Sequence, residues 1–322
     1  MMDPEARSDP FDPAAIAPET ARLNSAIEAV LAQTKSIHLR DPVEVRAERE
    51  RGEGIWGPLE TVEEATVRAL PGPVGEVPVR VIAPESPRGA YLHLHGGGWT
   101  LGAAHHMDVH NLRVARECGL AVVSVDYRLA PEHPYPAGPD DCEAAALWLA
   151  EHAKREFGTE RLLIGGESAG AHLAVVTLLR LRDRHGFRGF SAANLCFGAY
   201  DLSLTPSARR WGERNVILST PIIEWCTGNF VAPELRRHPD VSPLYAELAG
   251  LPAALFTVGT LDPLLDDSLF MHARWCAAGN PAELAVYPGG VHGFNAFPIP
   301  IASRANARIE KFLRIAAGSV CG

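Results

Sequence analysis

The chain is poor in several things, and each shortage closes off a class of function. Its 322 residues hold only six cysteines, Cys118, Cys142, Cys196, Cys226, Cys276 and Cys321, widely spaced and without a C-x-x-C pair. Neither a zinc knuckle nor a redox dithiol is suggested, and free buried thiols are the expected state. No uninterrupted apolar run approaches 18 residues, so no membrane span and no stable membrane insertion are expected. Basic residues are outnumbered, 30 Lys and Arg against 39 Asp and Glu, for a net charge of -9. That balance repels phosphate backbones and anionic lipid surfaces, which argues against a nucleic-acid partner. The opening Met1-Met2-Asp3-Pro4-Glu5 has no basic segment followed by an apolar one, so a cytoplasmic location is the default expectation. No internal repeat is visible. What remains is ample for a core: 47% hydrophobic residues in a length that suits one large α/β domain carrying an insertion.

Strand-type runs alternate with helical ones from Val77 onward. The strands are expected at Val77 to Ala83, Ala90 to His95, Leu120 to Tyr127, Leu162 to Gly165, Ala192 to Phe197, Ala253 to Val258 and Leu284 to Tyr287. Helices are expected at Asp140 to Lys154, Ala169 to Leu181, Asp266 to Ala278 and Ser303 to Ala316. This alternation predicts an α/β fold, a mostly parallel sheet with helices on both faces. The turn-like Leu70-Pro71-Gly72-Pro73-Val74-Gly75 allows the first strands to be antiparallel. Upstream, residues 1 to about 17 are rich in Pro, Asp and Ala and are expected to be loosely ordered. Leu23, Ile27, Val30 and Leu31 then predict an amphipathic helix from about Glu19 to Gln33.

Three sets of residues carry chemistry. Gly166-Glu167-Ser168-Ala169-Gly170 follows the apolar run Leu162-Leu163-Ile164 and opens a helical stretch, the context of a nucleophile elbow. A serine on so sharp a turn needs glycine two residues either side, and the N–H of Ala169 at the helix start can donate to an oxyanion. His95-Gly96-Gly97-Gly98-Trp99 ends a strand in three glycines with bare N–H groups, and no Lys-Ser/Thr follows as a phosphate-binding loop requires. Gly97 and Gly98 are the expected oxyanion donors. An acid and a histidine then follow in the right order, each after a late strand: Asp262 after Gly259-Thr260-Leu261, and His292 in Val291-His292-Gly293-Phe294. Asp266 and Asp267, which open the next helical run, are expected to serve its free N–H groups instead.

With these motifs and Asp126-Tyr127-Arg128-Leu129-Ala130-Pro131-Glu132-His133-Pro134-Tyr135-Pro136-Ala137 in register, the chain from about residue 65 to near its C-terminus resembles the bacterial hormone-sensitive-lipase family of esterases, also called family IV. The resemblance implies an α/β-hydrolase fold and a serine carboxylesterase with Ser168 as nucleophile, His292 as base and Asp262 as its orienting acid. Gly97, Gly98 and Ala169 become the oxyanion hole. It also implies a helical cap built from residues 1–50 and an insertion at 203–240, the catalytic domain occupying 51–202 and 241–322. The chain departs from the family pattern at Ala171, where a third glycine is common, and at Glu167, where aspartate or threonine is commoner. A small-molecule ester is the implied substrate; no metal or organic cofactor is implied, and a homodimer stays open. An amidase or arylformamidase on the same scaffold shares the elbow, and a non-catalytic ligand-binding receptor of this fold is a more distant alternative, since such receptors lose a triad member.

Weaker candidates surround this set. Trp99, Tyr200, Asp201 and Trp211 are expected around the substrate pocket, by their places beside the oxyanion loop, at the C-terminal side of the sheet and in the insertion. His105, His106, Asp108 and His110 crowd one stretch, but a hydrolytic zinc site of the H-E-x-x-H kind needs a glutamate between its histidines and none is there. A polar helix start is the preferred reading. His93 and His172 are read as structural histidines.

Overall fold

Runs that are apolar on both faces need cover on both sides, and the central sheet is built that way. The computed structural model describes residues 9–318, so Cys321 and residues 1–8 lie outside the described residues. Helices α1 (Pro18–Leu31) and α2 (Pro42–Glu50) precede strands β1 (Thr66–Gly72), β2 (Gly75–Ile82) and β3 (Gly89–Leu94). Then come α3 (Asp108–Cys118), β4 (Leu120–Val125), α4 (Ala137–Phe157), β5 (Leu162–Glu167), α5 (Ala169–His185) and β6 (Phe190–Cys196). The insertion contributes α6 (Pro206–Arg210) and α7 (Thr220–Phe230), followed by β7 (Ala253–Leu261), α8 (Leu265–Ala277), β8 (Ala282–Val291) and α9 (Pro300–Ala316). The eight strands lie in the order β1-β2-β4-β3-β5-β6-β7-β8. The pairs β1/β2 and β2/β4 are antiparallel and all later pairs are parallel. This is the α/β-hydrolase architecture.

One core layer joins the sheet to α4, α5 and α8 through residues such as Leu149, Leu173, Met271 and Trp275; the opposite layer brings Val114 of α3 and Ile309 and Leu313 of α9 against Val122, Leu163 and Leu255. A third cluster joins Ile27 of α1 to Val216 of the insertion and to Phe294. Glu28 of α1 also pairs with Arg214. The N-terminal segment and the insertion, which flank only the first part of the catalytic domain in sequence, therefore meet in space. The end of the insertion is fastened by Arg180 of α5, which is 2% exposed and bonded to Asp240 at 2.6 Å, Asp140 at 2.8 Å and Glu143 at 3.2 Å. Although burial opposes it, the Arg180 guanidinium holds the Asp240 carboxyl below its ordinary value.

Two local expectations change, and one helix appears that no expectation covered. Residues 13–15 form a helical turn capped by the Asp12 carboxylate, which accepts from Ala14 N–H, so residues 9–17 are not loose. Helix α2 has no apolar stripe, with Val43 57% exposed, and hydropathy could not reveal it. Its N-terminus is held by Asp41, which accepts from Val43 N–H, with Pro42 in the first turn. Strand β8 runs past Tyr287, where the expected strand ends, through Pro288-Gly289-Gly290 to Val291, because Gly259 on β7 leaves room for the Gly290 backbone to pass close by.

Candidate active site

Parallel strands end at one edge of a sheet, and four of them deliver the predicted residues there. Ser168 follows β5, Asp262 follows β7, His292 follows β8, and the glycine loop follows β3. Ser168 sits at φ +56°, ψ -120°, a strained conformation for a residue with a side chain. A Cβ on Gly166 or Gly170 would land on the Leu94 carbonyl, so both glycines are sterically required. The sharp turn leaves Ser168 partly exposed while its neighbours on either side are buried. His292 Nε2 lies 2.8 Å from Ser168 Oγ, and His292 Nδ1 lies 2.9 Å from Asp262 Oδ2. Asp262 is 2% exposed, and its other oxygen accepts from Leu264 N–H at 2.9 Å. With Asp262 accepting from Nδ1–H, Nε2 is free to accept the serine proton.

The glycine loop is folded by its own carbonyl: Gly97 accepts from Thr100 and Leu101 N–H. Among the described residues, neither Gly97 nor Gly98 N–H donates to a backbone carbonyl. Gly97 and Gly98 have φ of +123° and +59°, which glycine adopts without penalty. Ala169 is the first residue of α5, where an N–H has no intrahelical acceptor. The structure thus brings Ser168, Asp262 and His292 into one hydrogen-bonded chain, with the free N–H of Ala169 beside the serine. Arg46 of α2 clasps the loop from outside, donating to the Thr100 carbonyl at 2.8 Å and the Ala130 carbonyl at 2.7 Å.

The weaker candidates fare differently. Trp99 is buried, stacked on Phe230 of α7 at 4.7 Å, and donates from Nε1 to His172 Nδ1 at 3.0 Å. It joins the loop to the insertion. The expectation that Tyr200 lines a pocket is corrected: its side chain is fully buried against Phe256, with its N–H donating to Asp267 and its carbonyl accepting from Leu244 N–H. Asp201 is occupied locally, accepting from Ser203 and from the Tyr245 hydroxyl. Trp211 remains within the insertion, its Nε1–H on the Arg214 carbonyl and the Arg214 guanidinium over its ring.

Asp266 and Asp267 do not serve their own helix. Asp267 is fully buried and accepts from the N–H groups of Tyr200 and Asp201 and from the Thr205 hydroxyl, while Asp266 accepts from Ser207 N–H. They anchor the entry to the insertion. Burial pushes the Asp267 carboxyl up to about 7, against the pull of those donors.

The histidine-rich stretch also separates. Asp108 is tied to Arg80 and to Val62 N–H. His110 faces Glu167 at 3.8 Å and does not join His106. Glu167, directly before the serine, is bonded to His93 Nε2 at 3.0 Å, with Ser124 on the other side of that ring. Burial alone would raise the Glu167 carboxyl, but the imidazoles of His93 and His110 bring it below its ordinary value. His172 donates from Nε2 to the Val241 carbonyl at 2.7 Å, and burial lowers it to about 4.

Three neighbours of the site had no signal in the sequence. Phe197 lies edge-on to His292 at 5.0 Å, Cys226 of α7 sits over Gly98, and Trp56 stacks on Phe297 and reaches over Gly293. Each arrives from a segment with no motif, so only the folded chain reveals it.

A family profile described as the alpha/beta hydrolase fold matches residues 91–296. The carboxylic ester hydrolase LipN of Mycobacterium tuberculosis is 36% identical over 75% of this chain and 67% of its own length. The acetyl esterase of Salmonella schwarzengrund is 32% identical over 70% of this chain and 72% of its own. Among solved structures, an esterase of Pyrobaculum calidifontis superposes with a TM-score of 0.84 at 30% identity, covering 94% of this chain and 100% of that one. The carboxylesterase EstE1, cloned from a metagenomic library, gives 0.80 at 29% identity, over 88% of this chain and 99% of that one.

Proposed function

The chain belongs to the hormone-sensitive-lipase family of the alpha/beta hydrolase fold, and from that premise we propose that it is a serine carboxylesterase that cleaves short-chain esters through an acyl-enzyme. The observation that carries the reading is the unbroken chain from Asp262 through His292 to Ser168, at 2.9 and 2.8 Å. In this reading His292 Nε2 takes the Ser168 proton as Oγ attacks the ester carbonyl, and Asp262 holds the ring in the tautomer that allows it. The N–H groups of Gly97, Gly98 and Ala169 receive the negative charge that develops on the carbonyl oxygen. His292 then protonates the leaving alcohol, and a water activated by the same ring releases the acid.

The cap is part of the same proposal: α1 packs with the insertion through Ile27 and Val216, α2 reaches the glycine loop through Arg46, and Phe230 and Cys226 of the insertion, lying against Trp99 and Gly98, would bound the space available to an acyl group. The acetyl esterase relative supports a preference for small acyl groups. No helix among the described residues is long and apolar enough to cross a membrane. A cytoplasmic location is proposed from the unpaired state of the five described cysteines, as expected under reducing conditions. A homodimer is carried as a proposal that light scattering decides. All the curated relatives above are ester hydrolases, which favours ester over amide cleavage. The test is a scan of acyl length with one chromogenic alcohol, alongside an N-formyl amide and the Ser168→Ala variant. We expect the fastest turnover for acyl chains of about two to six carbons and background rates for the variant. Faster cleavage of emulsified long-chain lipid, or of the amide, overturns the substrate assignment; retained activity in Ser168→Ala overturns the mechanism.

A further inference from the structure

Outside the Ser168 site, three metal-binding side chains converge from distant parts of the chain. His105 and His106 are adjacent in a helical turn seven and eight residues after Gly98, and Glu50 is the last residue of α2. Neighbouring side chains on a tight turn ordinarily diverge. Here both rings turn to one carboxylate: His105 Nε2 lies 3.0 Å from Glu50 Oε2, and His106 Nε2 lies 2.8 Å from Glu50 Oε1. The rings sit 4.4 Å apart with their planes at 75°. One ligand atom from each residue falls within 4.8 Å of the others. Tetrahedral ligands about 2.1 Å from a zinc ion stand about 3.4 Å from one another, so small side-chain rotations close this set around a metal. The side chains are 49%, 29% and 10% exposed for Glu50, His105 and His106, which leaves a path for the ion and room for a water as fourth ligand.

We propose that Glu50, His105 and His106 bind one divalent transition-metal cation of the zinc class, clamping the end of α2 to the turn that follows the glycine loop. Two imidazoles and a carboxylate suit zinc over calcium or magnesium, which prefer all-oxygen shells. Binding requires each ring to carry its remaining proton on Nδ1, so that both Nε2 lone pairs face the metal. A carboxylate at the C-terminal end of a helix faces the negative end of the helix dipole, and a bound cation reverses that disadvantage. The carboxylate ligand comes from Glu50, 55 residues upstream of His105, and is distinct from the general-base glutamate of an H-E-x-x-H pair. The site is separate from the Ser168 chemistry and enters no step of it.

The test uses the full chain, stripped with EDTA, desalted and titrated with zinc chloride by calorimetry, with cobalt(II) absorption as a report of ligand geometry. One zinc per chain is expected, with affinity falling by more than about tenfold in Glu50→Gln, His105→Ala and His106→Ala, and a thermal midpoint that rises with zinc in the parent but not in these three variants. Circular dichroism and ester turnover verify that each variant is folded. The rival ligand pair is exposed Cys276 with His272, whose Sγ and Nε2 are 3.6 Å apart. Cys276→Ser should therefore bind zinc as the parent does. Absence of stoichiometric binding, binding that survives in the His105→Ala/His106→Ala double variant, or loss in Cys276→Ser overturns the proposal.

Discussion

Gly97 and Gly98 are adjacent and both lack a side chain, yet the structure makes them fail differently when a methyl group is added. A Cβ on Gly98 would overlap Cys226 Sγ and lie 2.9 Å from Cys226 Cβ, so the obstruction is a side chain on α7. A Cβ on Gly97 would land on the Leu101 carbonyl and lie 3.1 Å from Gly102 N, so the obstruction is backbone. At φ +59° an alanine costs about 1–2 kcal/mol for left-handed geometry alone. At φ +123° the conformation is close to glycine-only. Relief of either clash displaces an N–H, and loss of one oxyanion donor costs about 3 kcal/mol of barrier, or roughly 10²-fold in kcat. We expect both Gly97→Ala and Gly98→Ala to lose about that much. Adding Cys226→Gly, which removes both Sγ and Cβ, should return at least about tenfold to Gly98→Ala and nothing to Gly97→Ala. The assay is kcat and KM on a soluble acetyl ester, with urea midpoints to separate rate from folding. Wild-type rates in either single variant, or equal rescue of both by Cys226→Gly, would refute the reasoning.

Asp262→Asn should lower kcat by ~10⁴-fold in a folded protein, since an asparagine can leave His292 with the wrong tautomer; if it survives while Asp266→Asn is inactive and folded, the acid is misassigned. Asp267→Ala leaves one buried N–H, one partly buried N–H and a buried hydroxyl without an acceptor, so a loss of about 3 kcal/mol or more in urea stability is expected, and a loss under about 1 kcal/mol would contradict the anchoring role. Burial lowers His95, His110 and His172 to about 4 from 6.5, so the unfolded chain gains protons that the folded chain refuses as pH falls through that window. Their stabilising contribution is complete above 6.5 and is lost on the way down to 4, each group adding up to about 1.4 kcal/mol per pH unit, while Asp267, raised above its unfolded value, opposes with one proton. Replacing His110 by Leu should flatten the plot of unfolding free energy against pH by close to one proton between pH 6 and 4.5, and an unchanged slope would show that His110 is not held neutral.

The glycines flanking Ser168 were legible because their cause is local: a turn between strand and helix places Gly166 and Gly170 against the strand ending at Leu94 whatever the rest of the chain does. The order of acid and histidine was legible because parallel strands present successive loops at the same edge. Hydrophobic periodicity likewise located α1, and strand after strand, since burial on a sheet leaves a pattern in the residues themselves. Helix α2 left no such pattern. It is held by its Asp41 cap and by Arg46 reaching the glycine loop, and neither depends on an apolar stripe.

Contacts between segments far apart in the chain were decided by tertiary structure alone. Asp266 and Asp267 look like caps for their own helix, but the packing of α8 beside the insertion offers them the N–H groups of residues 200, 201 and 207. Tyr200 follows the right strand for a pocket residue, yet contacts with Asp267 and Phe256, far away in the chain, hold it in the core. Cys226 over Gly98, Trp99 beneath Phe230 and Glu50 between two histidines arise in the same way. The sequence by itself determined which backbone turns and strand ends could carry the chemistry, because sterics and burial act on neighbours in the chain; which side chains surround those turns depended on how remote segments pack, and no local pattern encodes that.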